Sequence, residues 1–199
     1  MNTEKEPRHL VSRTALLKSG GVLAGSAALF VAASKVPATA GAAGTLAFDV
    51  ACDGRTWRLN RADPTLSNQV PSRGDGFIVS GKIYPDGTIA KGLASPDQPG
   101  SIGTWICRGF FNVDIASGKV PHVVSTQLFF FDNGDGLIND GLENGIPTVR
   151  FVTGGMGAYS GARGYVHQAA NKKGNSTTLD LGPVKIPADN IHFIYTLMP

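Results

Sequence analysis

Net charge, helical periodicity and cysteine are all scarce in this chain, and each shortage removes a class of function. Five of the 18 Lys and Arg and two of the 15 Asp and Glu fall within residues 1–40, so the rest is balanced at thirteen of each. The basic pI therefore belongs to the N-terminal segment, and a neutral chain without a basic patch has no electrostatic footprint for nucleic acid. No window of twelve or more residues beyond that segment has helical periodicity with start and stop signals. No internal repeat or low-complexity linker divides residues 41–199, which suit one domain. His122, His167 and His192 stand singly, without metal-ligand spacing, and predict no metal site. Ser160 lacks the G-x-S-x-G context of a hydrolase nucleophile. Gly155-x-Gly157 leads to Ser160 with no following helix, so no dinucleotide cofactor is expected. Asp132 to Glu143 has the length of a calcium loop, but glycines occupy ligand positions and Leu137 replaces the loop glycine; it reads as a polar turn. With only Cys52 and Cys107, one disulfide is the most the chain can form.

What is present begins with an export pattern. Lys5, Arg8, Arg13 and Lys18 precede the uncharged run Ser19–Ser34 and then Val36-Pro37-Ala38-Thr39-Ala40. A basic region, an apolar run shorter than the ~20 residues of a bilayer span, and an A-x-A site predict a cleaved signal ending near Ala40. Ser12-Arg13-Thr14-Ala15-Leu16-Leu17-Lys18 resembles the twin-arginine motif, with Thr14 in place of its second arginine. The expectation is a secreted protein with no membrane association after cleavage, residues 41–199 forming the single domain.

Those residues read as short strands separated by turns. Thr45–Cys52 and Arg55–Leu59 flank Asp53-Gly54 as a D-G hairpin. Phe77–Tyr84 alternates, and Thr88–Lys91 starts a return strand. Thr104–Asp114 is the longest clear strand, with His122–Phe131 as its antiparallel partner. A weaker strand near Leu137 follows, then Thr148–Val152, Gly164–Gln168, Thr177–Leu181 and Asn190–Leu197. Eight to ten such strands and no covering helix predict an all-β barrel or sandwich, and closure removes unpaired edges most economically. Thr153–Gly164 contains Gly154, Gly155, Gly157, Gly161 and Gly164. A helix there is excluded at about 1 kcal/mol per glycine, so a tight structural corner is expected, with Tyr159 plugging one end of the barrel.

Gly154 to Gly164, G-G-M-G-A-Y-S-G-A-R-G, resembles the glycine corner of allene oxide cyclases and plant dirigent proteins. Gly103 to Cys107, Gln127 to Gly134 and Asn190 to Leu197 resemble, in order, a cavity-cysteine strand, an aromatic strand and turn, and a closing strand. The resemblance implies a closed eight-stranded antiparallel barrel with an apolar cavity, assembled as a homotrimer. It also implies chemistry of the isomerase or cyclase kind, in which a small apolar molecule is positioned for ring closure or coupling. Tyr84, Trp105, Cys107, Phe111, Gln127 and Phe129 are the candidate cavity lining. Cys107 is a cavity thiol, unless it pairs with Cys52. Arg108 points to solvent, or anchors a carboxylate if register turns it inward. The alternatives to catalysis are a non-catalytic hydrophobic-ligand binder and a structural secreted barrel.

Overall fold

The computed structural model describes residues 44–67, 69–112, 123–143, 147–171 and 175–198. The expected export segment, and Val113 to His122, lie outside them. Ten strands form among the described residues: β1 (Gly44–Asn60), β2 (Gly76–Pro85), β3 (Gly103–Phe111), β4 (Val123–Phe131), β5 (Gly136–Glu143), β6 (Thr148–Met156), β7 (Arg163–Asn171), β8 (Thr178–Asp180), β9 (Lys185–Pro187) and β10 (Asn190–Met198). Eight of them close into an antiparallel barrel in the order β1-β10-β7-β6-β5-β4-β3-β2, while β8 and β9 make a separate two-stranded sheet. The all-β, eight-stranded closed barrel expected from the sequence is what forms.

Period-two alternation decides what fills it. On β3, Trp105, Cys107 and Phe111 are buried while Arg108 and Phe110 are exposed. Phe48 on β1 sits among Phe129, Phe131, Phe193 and Tyr195, with ring centroids 5.2, 5.5, 5.6 and 5.4 Å away. Aromatic pairs at such distances add about 0.5–1.5 kcal/mol each beyond the area they bury. This cluster fills the end of the barrel that the glycine corner closes. Gly157 (φ 62°), Gly161 (φ 77°) and Gly164 (φ 143°) take backbone conformations that side chains disfavour. A Cβ on Gly164 would also collide with the Thr196 carbonyl. The corner contains a single 3₁₀ turn, Gly157–Tyr159, which brings the buried Tyr159 ring to 6.0 Å from Phe131.

Two local expectations are corrected. Asp53-Gly54 is no hairpin: β1 runs straight through it as one 17-residue strand, with a register shift against β2 between Asp53 and Arg58. Gly54 is needed there because the Thr178 backbone lies where its Cβ would be. Thr88–Lys91 is a run of turns rather than a strand. Its segment folds back over the outside of β1, β2 and β10, where Ala51, Tyr84, Ile89 and Ala94 form a small second core. Ile89 N donates to Asp49 Oδ2 at 2.7 Å and Asn190 Nδ2 to the Ala94 carbonyl at 2.7 Å, fastening this flap down.

Candidate functional site

Opposite the aromatic end, the barrel interior turns polar. Asn139 and Glu143 on β5, Arg150 on β6, Ser125 and Gln127 on β4, Gln168 on β7 and Tyr195 on β10 all face inward, because they share register rows with buried interior partners. Arg150 is completely buried. Its guanidinium donates to Glu143 Oε1 at 2.9 Å, to Asn139 Oδ1 at 3.0 Å and to the Ser125 carbonyl. Glu143 Oε1 also accepts from Ser125 Oγ at 2.9 Å and Gln127 Nε2 at 3.1 Å. Gln127 Nε2 reaches Gln168 Oε1 at 3.0 Å, and Asn139 Nδ2 donates to Tyr195 Oη at 2.9 Å. The interior thus carries one balanced ion pair inside a shell of amides and hydroxyls. A buried pair of this kind survives only because its remaining polar atoms are satisfied.

Near this cluster some buried polar atoms are left without a partner among the described residues. Trp105 Nε1 and Gln127 Oε1, on residues 2% and 1% exposed, are buried with no hydrogen-bond partner among the described residues. They belong to adjacent strands, since Trp105 pairs with Phe129 and Cys107 with Gln127. One is a donor and the other an acceptor, and each costs about 1–3 kcal/mol if nothing meets it.

Of the candidate lining, Trp105, Cys107, Phe111, Gln127 and Phe129 face the interior and are buried. Tyr84 does not: it pairs with Asp49 on the outer face, and its hydroxyl donates to the Ser95 and Gln98 carbonyls at 2.5 and 2.9 Å. The flap that covers it makes an outward residue look like core. Arg108 also faces outward and is exposed, so it anchors nothing inside. Cys52 and Cys107 are free thiols. Strand β2 lies between theirs, which sets the two backbones about 9.5 Å apart, beyond the ~7 Å a disulfide tolerates. Burial pushes Cys52 up to about 12 and Cys107 well above the usual thiol value, so neither is a ready nucleophile. Burial likewise raises the Tyr195 phenol, against the lowering effect of Asn139 and Arg150; it acts as a neutral hydroxyl. Glu143, the last residue of the stretch read as a polar turn, closes strand β5 and pairs with Arg150.

Arg150, Glu143, Asn139 and Gln168 escaped the sequence reading because β6 is patterned in the opposite phase from what its apolar residues suggest. Val149 and Phe151 are 52% and 71% exposed, while Arg150 between them is buried. The signal was there as period-two polar residues on four consecutive strands: Ser125 and Gln127, Asn139 and Glu143, Thr148 and Arg150, then Gln168.

No protein-family model matches the sequence, and no curated protein matches it. Solved structures do match in shape. The structure of the pterocarpan synthase dirigent protein PsPTS1 superposes with a TM-score of 0.53 at 12% identity, covering 78% of this chain and 96% of that one. The related GePTS1 gives 0.51 at 13% identity over 82% and 90%. The fold is that of the dirigent barrels. A pyocyanin demethylase has the same shape, with a TM-score of 0.50 at 16% identity over 78% of this chain and all of that one. At such identities the likeness is one of architecture, and chemistry has to be argued from the side chains inside this dirigent-type barrel.

Proposed function

We propose that the barrel holds a small, largely apolar molecule against its inner polar cluster and steers a ring closure or coupling of that molecule. The observation that carries this reading is the two buried atoms Trp105 Nε1 and Gln127 Oε1, unpartnered among the described residues and set on adjacent strands, where Gln127 also touches the Glu143 carboxylate of the ion pair. A ligand offering one acceptor and one donor would satisfy both atoms. The aromatic wall of Trp105, Phe111 and Phe129 would hold its carbon skeleton. Catalysis in such a site is mostly positioning: a flexible molecule is fixed in a near-attack conformation and water is excluded. Arg150 supplies a fixed positive charge for electron density that develops on a ligand oxygen, and Glu143 keeps the resting site neutral. The buried thiols make covalent catalysis through cysteine a poor fit. Export guided by residues 1–40 and trimer formation belong to the same reading. The exposed Phe110, Phe130, Leu142 and Phe151 on the outside of β3 to β6 are apolar surface that neighbouring copies would cover.

The test is to extract the molecule that co-purifies with the protein, return it or its open-chain precursor, and follow the product by chromatography. Trp105→Phe removes the unpartnered indole N–H together with one ring of the side chain, and Gln127→Leu removes the unpartnered Oε1 together with the Nε2 that donates to Glu143 and Gln168. Both should weaken ligand retention by more than their modest cost in stability, which thermal unfolding of each variant measures separately. Retention unchanged in both variants would refute the site. Retention without turnover would leave a carrier in place of a cyclase.

A further inference from the structure

Outside the barrel, under the edge of the flap, three metal-capable side chains meet that lie far apart in the sequence. Asp49 of β1 pairs with His192 of β10 on one side and with Tyr84 of β2 on the other, and Asp86 follows immediately after β2. His192 Nδ1 is 2.7 Å from Asp49 Oδ1 and 3.8 Å from Asp86 Oδ1. All three groups can offer ligand atoms lying within 4.8 Å of one another. Ligands about 2.0–2.2 Å from a zinc ion are about 3–3.5 Å apart, so small torsions bring this set onto one cation.

Burial separates this triad from an ordinary surface cluster. The Asp49 side chain is 1% exposed, yet it sits on the outer face of the sheet, where strand alternation alone would leave it in water. Its Oδ2 is held by Ile89 N, which fixes the carboxylate and aims Oδ1 at the imidazole. A buried carboxylate calls for a counter-charge, and His192 supplies one only when protonated. Asp86 and His192 keep 60% and 32% of their side chains exposed, so an ion can reach the triad from solvent and retain water ligands.

We propose that Asp49, Asp86 and His192 form a binding site for a first-row divalent metal ion, of the zinc or manganese class, with water completing the coordination. Two carboxylate oxygens and one imidazole nitrogen suit these ions better than calcium, which prefers six to eight oxygens. The bound ion staples the turn after β2 to β1 and β10, and so locks the flap that Tyr84 and Asn190 hold elsewhere. It is structural and independent of the interior site.

The experiment is equilibrium titration of the full chain, dialysed against chelator, with zinc chloride, manganese chloride and calcium chloride in turn, read by metal content and melting temperature. Manganese adds a direct readout, because its paramagnetism broadens the His192 ring resonances. One zinc or manganese per chain should bind, raising the melting temperature by several degrees at saturation. His192→Gln and Asp86→Asn should each weaken binding by tenfold or more. Asp86 is exposed, so its variant folds normally, and His167→Gln, on the exposed outer face of β7, should change nothing. Failure to bind at millimolar metal would overturn the proposal. So would undiminished binding in both Asp86→Asn and His192→Gln.

Discussion

Replacing Arg150 by methionine should cost about 3 kcal/mol of folding stability, and the structure says why. The guanidinium is fully buried and serves three acceptors: Glu143, Asn139 and the Ser125 carbonyl. Removing one partner of a buried ion pair typically costs about 3–5 kcal/mol, because the other charge is left uncompensated. Glu143 keeps 22% of its side chain exposed, so water offsets part of that loss and the lower end applies. With a urea m-value of about 2 kcal/mol/M for a domain of this size, the unfolding midpoint should fall by about 1.5 M. Arg150→Met with Glu143→Gln should recover most of the loss, since a neutral pair of similar shape carries no stranded charge and the new amide oxygen can still accept from Ser125 and Gln127. The coupling between the two sites should then exceed about 1 kcal/mol, well outside the additivity of independent positions. A midpoint within about 0.3 M of wild type for Arg150→Met, or strictly additive losses in the double variant, would refute the buried-pair description.

Three further outcomes follow from particular side chains. Tyr159→Phe should leave stability unchanged or raise it by up to about 1 kcal/mol, because the buried hydroxyl has no partner among the described residues; a clear loss in thermal unfolding would show that it has one. With Cys52 up to about 12 and Cys107 also raised, a thiol reagent at pH 8 should label neither cysteine in the native protein and both after denaturation; rapid native labelling would contradict their burial. Burial pushes Asp75 up, but hydrogen bonds from Ser72 N, Ala62 N and Arg61 outweigh it, so its pKa lies below the ordinary value. Its contribution to stability is therefore present above the unfolded value of about 3.9 and is lost as the pH falls through the lower folded one. Asp75→Asn should be less stable at neutral pH and lose less between pH 5 and 2; parallel curves would sink that assignment.

Much of the architecture was legible because strands announce themselves by alternation. Trp105, Cys107 and Phe111 show their face, and the glycines from Gly154 to Gly164 show a corner no helix or ordinary strand could make. The site was less legible, for physical reasons. A barrel has two surfaces, and the outer one here is apolar enough that Val149 and Phe151 look like core while Arg150 looks like surface. A flap over the outer face gives Tyr84 the same apolar company as an interior residue. Gly54 after Asp53 looks like a turn, yet it serves close approach by β8. Asp49 and His192 meet only through strand register between the two ends of the chain, which no local spacing reveals.

Trp105 and Gln127 are proposed to hold a small molecule inside the barrel. Native mass spectrometry of the protein purified from its own cells tests it most directly. The expected spectrum shows an added mass of a few hundred daltons per chain, on the order of a small ligand that fits a protein pocket, and its loss in Trp105→Phe and Gln127→Leu. A bare chain mass from fresh native material, or an adduct retained in both variants, would contradict it.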